Sequence, residues 1–512
     1  MTTYYVSTDG IDNAQRDGRS WETAWASLSY ASDRVPEGNH TIRLSAGDFI
    51  ETQTAQIKSG LTVSGTTTDS ETTQIIASKD WAISPNPNNE NESEYLINLQ
   101  SVQDVTIKEL NLRSSPNHFI TGAVRVVDSN NVQIHSLNVE SFRWVGLQLD
   151  RSEQLNIHNN HIKNASTEKS QGQNGLIRSR FIKHSRIHNN TITSTEENGY
   201  GYKGGGHENV RIHHNTFLLP EGFAIESAHE NEFGVEIDHN FANQTISVPK
   251  SQQSPDPSTR GYDYSFWIHH NFLTDSYTIE GPRNHLRVSH NYVRIDQPNG
   301  RVYTHHGGEN QGPVWLHHNV IENVDRALVW MNRGKAENIH VFNNTISLAN
   351  SPRAGALFGA FSSNRLNNWI VENNVVIAPE DQPRTLFSNE DIARKIETAN
   401  NLFININDVP AGNFSSIAPG FVERGERPFP FYAPATDESF IVDRGVTLDS
   451  PFHGEAPDIG AYELGENNAF PVQPVSSKTE LFSVATFSKV AEINLIAVII
   501  ILLGFSWFHR RR

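Results

Sequence analysis

The sequence LNIHNNHI at 155–162 recurs along the chain with small changes, for example as SRIHNNTI at 185–192, VRIHHNTF at 210–217 and FWIHHNFL at 266–273. Each copy has an anchor residue, apolar in nearly every case, followed three positions later by asparagine. Successive copies lie on average about 26 residues apart, and a fixed period of this size indicates one structural unit per repeat. The recurrent asparagines are Asn160, Asn190, Asn215, Asn240, Asn271, Asn291, Asn319, Asn344, Asn374 and Asn401.

Short alternating apolar and polar runs, broken by Asn, Gly or Asp, indicate strands and turns rather than helices. A unit of about 26 residues matches one coil of a parallel β-helix. In-register asparagines would then stack about 4.8 Å apart and hydrogen-bond one another. The sequence therefore predicts an all-β protein with a single right-handed parallel β-helix over residues 1–464.

The composition excludes several classes of function. The 512 residues carry 41 Lys and Arg against 58 Asp and Glu, a formal net charge of -17, which argues against nucleic acid as a partner. The absence of cysteine excludes disulfides, thiolate metal sites and a cysteine nucleophile. We expect a monomer whose chemistry depends on carboxylates, Lys, Arg, His and Tyr.

The two ends of the chain differ from the repeats. Trp21, Trp25 and Leu28 fit one face of a capping helix with Ser20 as its N-cap. At the other end, residues 465–492 are a predicted linker, and residues 493–512 combine an uncharged apolar run with three terminal arginines. This pattern predicts a transmembrane helix or a C-terminal sorting signal. We therefore expect an exported body on the cell surface or periplasmic face, anchored in the membrane or released after cleavage.

Paired histidines beside several of the recurrent asparagines resemble metal ligands at first sight. They recur at the same turn of successive coils, however. We interpret them as a stack of polar turn residues rather than as a metal site.

A row of charged residues marks a candidate site on the strand that precedes each copy. Residues that follow an inward apolar position should point outward. The row predicted in this way contains Asp150, Arg178, Lys203, Glu226, Glu280, His305 and Trp330, with Asp263 or Tyr264 filling the coil of 245–265. Nearby aromatic residues are typical of a sugar-binding surface, and the candidates are Tyr200, Tyr202, Tyr262, Tyr264, Trp267, Tyr303 and Trp330.

Several segments resemble bacterial right-handed parallel β-helix proteins that act on polysaccharides. They are YYVSTDG at 4–10, SWETAWASL at 20–28, IRLSAGDF at 42–49 and PDIGAYELG at 457–465. The resemblance covers roughly residues 3–465. The resemblance implies the fold. It does not identify the function, because lyases, hydrolases, epimerases and surface proteins all share this fold.

One coil resembles a particular family among these polysaccharide-active proteins. YKGGGHENVRIHHNTF at 202–217 resembles the lysine-bearing coil of polysaccharide lyase family six, the alginate lyases and chondroitinase B. The resemblance implies β-elimination on a uronate-containing polysaccharide, with Lys203 as the base and Arg178 or Ca²⁺ neutralising the carboxylate. Glu196 and Glu197 are the corresponding Ca²⁺ candidates. The chain departs from the family at Glu226, where the family has arginine.

Two other functions remain open. Glycoside hydrolysis needs a pair of carboxylates, and Glu226 with Glu280 would supply it near the spacing of an inverting enzyme. The aromatic row would equally suit a non-catalytic surface adhesin or polysaccharide-binding column.

Overall fold

The computed structural model describes residues 1–66, 71–83, 94–163, 175–195, 199–229, 231–248, 255–274, 277–281, 284–295, 300–305, 309–310, 312–331, 335–351, 355–360, 363–415, 417–422, 432–448 and 452–466. The chain divides into units Met1–Pro471 and Val472–Arg512, and all described residues belong to the first. No helix in this described part has the length and apolar character needed to cross a membrane. The predicted tail at 493–512 lies outside the described residues.

The described repeats form a parallel β-solenoid with two long sheets. In sheet 1, twelve described strands pair in parallel: Ala55–Gln56, Tyr95–Gln100, Gly122–Val127, Val145–Asp150, Gly175–Arg180, Gly199–Gly204, Gly222–Ser227, Thr245–Ser247, Tyr277–Gly281, Arg301–His305, Ala327–Met331 and Phe358–Ala360. Each coil contributes one strand to this sheet. The prediction of an all-β parallel solenoid is therefore confirmed.

Sheet 2 contains, among the described residues, two sets of strands that flank the recurrent asparagines. The strands before the asparagines, here called pre-ladder strands, are Asn156–His158, Lys183–His188, Glu208–His213, Phe233–Asp238, Phe266–His269, Leu286–Ser289, Val314–His317, Lys335–Phe342, Leu366–Glu372 and Ile396–Ala399. The strands after them are His161–Lys163, Thr191–Thr193, Thr216–Leu218, Phe241–Ala242, Phe272–Thr274, Tyr292–Arg294, Val320–Val324, Thr345–Leu348, Val375–Ile377 and Leu402–Ile404.

The remaining described elements lie mainly at the two ends. Sheet 2 also includes Thr2–Val6, His40–Leu44, Gly47–Glu51, Leu61–Ser64, Thr73–Ala77, Gln103–Ser114, Asn130–Glu140, Glu309–Asn310 and Phe414–Ser415. Arg384–Thr385 pairs with Ile406–Asn407, and the described helices are Leu28–Arg34, Glu390–Ala393 and the 3₁₀ turns Pro257–Arg260 and Ser363–Arg365.

Residues one repeat apart pair directly across neighbouring coils, which explains the hydrophobic core. Ile157 pairs with Ile187, and Ile187 pairs with Ile212. All three side chains are at most 2% exposed. Because the anchors stack in register, one apolar residue per coil continues the core along the column.

The recurrent asparagines form a hydrogen-bonded ladder inside the turn between the two sets of strands. Each side-chain amide donates to the amide oxygen of the next asparagine at 2.8–3.0 Å, from Asn160 through Asn401 to Asn413. The backbone N–H of each ladder residue donates to the same oxygen, as Asn240 does to Asn271. Each amide also donates to a strand carbonyl, so the ladder satisfies backbone groups that the turn buries.

The residue before each ladder asparagine has a left-handed backbone conformation. Asn159, His239 and His290 have φ values of 54°, 52° and 54°. Asparagine and histidine occupy this region more readily than most residues. Five of these side chains stack as imidazoles with centroids 4.8–5.1 Å apart: His214, His239, His270, His290 and His318.

Burial, reinforced for His270 and His290 by neighbouring imidazoles, lowers the pKa of several stacked histidines. The pKa falls to about 4 for His270 and His318 and to about 3 for His290. An unfolded chain would protonate these groups near 6.5. Above pH 6.5 these histidines are neutral in both the folded and the unfolded state. As the pH falls from 6.5 toward the folded-state pKa values, the unfolded chain binds protons that the folded protein does not, so the free energy of unfolding decreases.

Acidification should destabilise the protein measurably through this stack. For His318, lowering the pKa from 6.5 to about 4 corresponds to a loss of about 3 kcal/mol in the free energy of unfolding, when the pH falls from above the unfolded-state pKa to below the folded-state pKa. We expect the melting temperature to fall between about pH 7.5 and about pH 4.5. His318→Asn, which installs the residue found at the equivalent Asn343 and Asn373, should show a shallower fall in scanning calorimetry. Equal slopes for the two proteins would contradict this role for His318.

The N-terminal cap differs from the prediction. The helix is Leu28–Arg34 with Ser27, not Ser20, as its N-cap. Trp21 precedes it and is 44% exposed, whereas Trp25 is 3% exposed. The amides of Leu28 and Ser29 donate to buried Glu51, which fixes the helix start and places a carboxylate at its N-terminus.

Candidate functional site

One row of sheet 1, which we call the ridge, contains the partly exposed residues Arg178, Lys203, Glu226 and Trp330, whereas Gln148, Ser247 and Thr304 in the same row are buried. Strand register aligns Gln148, Arg178, Lys203, Glu226, Ser247, Glu280, Thr304 and Trp330 on successive coils. Arg178, Lys203 and Glu226 therefore lie on three adjacent coils, as the sequence predicted. Backbone spacing in such a sheet is about 4.8 Å per coil.

Lys203 and Glu226 are in direct contact on the ridge. Lys203 Nζ donates to Glu226 Oε2 at 2.8 Å, with the two side chains 22% and 14% exposed. The ammonium also lies 4.0 Å from the centroid of the Tyr200 ring, which in turn stacks on Phe223. The pair is therefore partly desolvated, and each side chain keeps a small solvent-exposed fraction.

Two of the three ridge residues on these coils are basic. Lys203 and Glu226 compensate each other, and Arg178 on the preceding coil adds a half-buried guanidinium. Arginine presents a planar fork that fits carboxylates. The arrangement favours an anionic group beside the Lys203–Glu226 pair.

A buried polar network supports the Lys203 strand from inside. Ser179 Oγ lies 2.7 Å from His207 Nε2, and His207 Nδ1 lies 3.0 Å from Glu232 Oε2. The hydroxyl of Tyr202 also contacts His207. A side chain at Gly204 would place Cβ 2.6 Å from His207, so glycine is required here. Ser179, His207 and Glu232 are each at most 1% exposed, which excludes them as a substrate-accessible Ser–His–Glu triad.

Asp150 is not a ridge residue. It pairs with Arg180, two positions beyond Gln148, which occupies the ridge position. Its side chain is fully buried and accepts hydrogen bonds from Arg180 at 2.9 Å and from Gln148 at 2.6 Å. The predicted position of Asp150 in the charged row is therefore wrong, and its carboxylate is buried and hydrogen-bonded within the protein.

Tyr202 and Tyr303, which were named as sugar-binding candidates, do not lie on the surface. Both belong to the inward row of sheet 1, one residue before the ridge, and both are fully buried. Burial raises the pKa of both phenols. His305 lies one residue beyond the ridge, where Thr304 takes the row position, and its side chain lies outside the described part of the structure.

In the coil of residues 245–265, the sequence analysis assigned the wrong residues to the charged row. Ser247 fills the ridge between Glu226 and Glu280. Asp263 is exposed in the connection to sheet 2, and Tyr264 packs against Trp267 of a pre-ladder strand with ring centroids 5.7 Å apart. Asp263 and Tyr264 thus belong to a different face of the column.

The other predicted residues lie farther from Lys203 or outside the described structure. Trp330 is on the ridge, five coils and about 24 Å from Lys203. Glu280 has its backbone on the ridge, but its side chain lies outside the described part. Glu196 and Glu197 also lie outside the described residues.

Two clusters in sheet 2 have the composition of metal sites: His214, Asp238 and His239, and Glu236, Asp238 and His269. Asp238 is common to both and already binds Arg211 through two hydrogen bonds of 2.7 and 2.8 Å. Burial raises the pKa of Asp238, but hydrogen bonds from Arg211 and His239 lower it more, to below its usual range. Because the guanidinium supplies the compensating cation, these clusters are ion-pair networks in character.

The sequence analysis named Trp267 as a sugar-binding candidate but did not recognise that it belongs to a row on the pre-ladder strands. The residue immediately before successive anchors is Trp267, Arg287, Trp315 and then His340, and register aligns these four. The signal was visible in FWIHHNFL, LRVSHNYV and VWLHHNVI. It was overlooked because the pre-ladder strands were aligned only on their anchors and asparagines, and a charged row was sought only on the strand that precedes them.

Comparisons with known proteins support the fold. No model of a known protein family matches the chain. No curated protein matches it in sequence. Among solved structures, the tailspike protein of E. coli bacteriophage HK620, in complex with a pentasaccharide, has a TM-score of 0.50 and 9% identity, covering 77% of this chain and 76% of that chain. At this identity the likeness shows a shared β-helical fold alone.

Two other solved structures are more distant in shape. PfbA, a surface adhesin of Streptococcus pneumoniae, has a TM-score of 0.46 and 12% identity, covering 69% of this chain and 92% of that chain. Pectate lyase Pel9A has a TM-score of 0.30 and 15% identity, covering 91% of this chain and 96% of that chain. The resemblance to polysaccharide lyase family six stays a prediction.

Proposed function

We propose that the protein binds an acidic polysaccharide along the ridge and cleaves it by β-elimination. The observation that carries this proposal is the 2.8 Å contact between Lys203 and Glu226, next to Arg178 on the adjacent coil. β-Elimination needs a base, a proton donor and a cation that neutralises the uronate carboxylate. These three residues provide the three roles on consecutive coils.

Arg178 is the carboxylate-binding group in this proposal. A guanidinium forms two parallel charge-assisted hydrogen bonds with a carboxylate. Neutralising that carboxylate makes the neighbouring C–H more acidic and stabilises the charge that develops when its proton leaves. The Tyr200 ring, which contacts the Lys203 ammonium and stacks on Phe223, lies beside this group.

The Lys203–Glu226 pair supplies both proton-transfer groups. When a substrate displaces water, moving one proton from Lys203 to Glu226 gives a neutral amine and a neutral acid. The amine takes the proton alpha to the carboxylate, a carbon–carbon double bond forms, and the glycosidic C–O bond breaks. Glu226 then gives its proton to the leaving oxygen. The cycle restores the ammonium and the carboxylate, so atoms and charges balance without another reactant.

This role also accounts for the departure at Glu226 from the resembled family. A carboxylate in contact with the lysine supplies the acid within the pair, and Arg178 on the preceding coil supplies the cation.

The reaction class is tested by the mass of the products. Pectate, alginate and glycosaminoglycan oligosaccharides are incubated with the full chain and analysed by mass spectrometry and ultraviolet absorbance. We expect product pairs whose masses add up to the substrate mass, one of them carrying the ultraviolet-absorbing double bond. Products that contain one added water and lack this absorbance would contradict elimination.

Hydrolysis is the second candidate, favoured by the register of Glu226 and Glu280. The two residues are two coils apart on the ridge, or about 10 Å along the backbone. An inverting glycosidase separates its carboxylates by about 6.5–9.5 Å. Added water in the products, together with loss of activity in Glu280→Gln, would assign this mechanism instead.

A divalent cation is the alternative neutraliser. On the coils directly adjacent to Lys203 the described ridge carries one carboxylate, Glu226, and Lys203 already binds it. We therefore assign neutralisation to Arg178 and expect activity to persist in EDTA. Loss of activity in EDTA, restored by Ca²⁺, would transfer this role to the metal.

A further inference from the structure

A groove lies on the pre-ladder face, away from the ridge. Register places Trp267, Arg287, Trp315 and His340 on four consecutive coils. Together with His317, Phe342, Thr447 and Leu448 they line a groove of about 600 Å³. We call it the tryptophan groove.

The two indoles are held in fixed positions two coils, or about 10 Å, apart. Trp267 Nε1 donates to Ser289 Oγ at 2.9 Å, and the Tyr264 ring packs against the same indole. Trp267 and Trp315 are both half-buried, so each retains an exposed surface. Rigid, partly exposed indoles provide contact area at low entropic cost.

Arg287 stands between the two tryptophans. Its guanidinium carbon is 5.1 Å from the Trp315 centroid and 5.9 Å from the Tyr264 centroid. Within the described part of the chain no carboxylate oxygen lies within 4.0 Å of it. Aromatic contacts orient the cation, but they do not replace an anionic partner.

The carboxylates that border the groove are already engaged. Glu236 accepts from His269 at 2.8 Å and lies 3.6 Å from Arg211. Glu372 accepts from His340 at 2.7 Å. Burial lowers the pKa of His317 well below its usual value, so this imidazole is neutral. Arg287 is therefore the cation at the centre of the groove.

The wall of the groove is anchored to the solenoid. Asn373 donates to the carbonyl of Val446 at 2.9 Å and accepts from the amide of Val446 at 2.8 Å. Thr447 and Leu448 follow directly in the chain. The groove therefore has a preformed shape.

We propose that the tryptophan groove is a second binding site, which holds an acidic oligosaccharide by stacking sugar rings on Trp267 and Trp315 and by pairing a carboxylate or sulfate with Arg287. The C–H faces of sugar rings are apolar and suit indoles, whereas the anionic substituent suits the guanidinium fork. A site outside the ridge would hold a long polymer on the column independently of cleavage. The proposal goes beyond the proposed function and does not depend on it.

The test is calorimetric titration of the full chain with hexagalacturonate, its methyl ester and polyglutamate of similar charge. Arg287→Met should weaken hexagalacturonate binding by about tenfold to a hundredfold, as expected for a lost charge-assisted bond. The neutral methyl ester should bind the variant and the wild type equally. Trp267→Ala with Trp315→Ala should remove one binding site for both sugars.

Trp21→Ala, which removes an exposed tryptophan at the N-terminal end, is the matched control and should bind like the wild type. Circular dichroism melting checks that every variant is folded. The proposal is overturned if hexagalacturonate binds the Arg287 and tryptophan variants as tightly as the wild type, if no site is lost, or if polyglutamate binds as tightly as the sugar. Absence of cleavage with groove binding intact would overturn only the proposed function.

Discussion

Lys203→Met should lose cleavage of an acidic polysaccharide by about 100-fold to 10,000-fold, the range expected for removal of a general base. Methionine keeps most of the length of the side chain but can neither bind nor release a proton. Glu226→Gln should have an effect of similar size, because glutamine cannot pass a proton to the leaving oxygen. Both losses should appear in kcat more than in KM, since Arg178 remains in place to bind the carboxylate of the sugar.

The double variant provides a sharper check than either single variant. Lys203 and Glu226 exchange one proton in the proposed cycle, so removing both should cost little more than removing one. Turnover is measured from the ultraviolet absorbance of the product. Additive losses in the double variant would indicate that the two residues act separately, contrary to the shared-proton mechanism.

A second Lys–Glu pair provides the control. Lys183 and Glu208 also pair across adjacent coils, at 3.1 Å, but in sheet 2. Lys183→Met therefore removes an equivalent ion pair from another face. We expect full activity and a stability change within about 1 kcal/mol, as for an exposed pair. Full activity in Lys203→Met, or equal loss in Lys183→Met, would remove Lys203 from the catalytic role.

Asn271→Leu should destabilise the protein by about 3–5 kcal/mol, in the range of the most damaging single substitutions. The Asn271 amide donates to the carbonyl of Ile237 at 2.8 Å and to the side chain of Asn291 at 3.0 Å. Its oxygen accepts from the backbone and the side chain of Asn240. Leucine leaves these buried groups unsatisfied, at about 1–3 kcal/mol each.

The position along the ladder should set the size of the loss. Asn160→Leu at the first rung should cost less than Asn271→Leu, because the preceding coil already has Leu137 at this position. Asn138→Ala, which removes an exposed asparagine paired with Asn111, should change stability by less than about 0.5 kcal/mol. Chemical denaturation of the three variants gives the comparison. Equal losses at Asn271 and Asn138 would show that the ladder is not a main source of stability.

The sequence predicted those parts of the fold that depend on periodicity. The spacing of the anchors and asparagines predicted the coil length, the turn and the stacking of Arg178, Lys203 and Glu226, because residues one repeat apart pair directly. Asn413 was missed as the last rung because its coil is much shorter than the others.

It was harder to predict which residues of a strand point inward and which point outward. Moving one residue along a strand exchanges the inward and outward faces. A shift of one residue therefore put His305 on the ridge in place of Thr304. Tyr202 and Tyr303, which were named as sugar-binding candidates for their residue type, are buried. The coil of Ser247 was misassigned because its sheet 1 strand has only three residues and precedes a long insertion.

The most direct test of the account is a crystal structure of Lys203→Met with a bound uronate hexasaccharide. We predict that the sugar lies along the ridge with one carboxylate paired to Arg178 and the adjacent glycosidic oxygen near Glu226. A second sugar in the tryptophan groove is compatible with this result. An oligosaccharide found only in the groove, with the ridge free of sugar at saturating concentration, would contradict the assignment of the ridge as the site of cleavage.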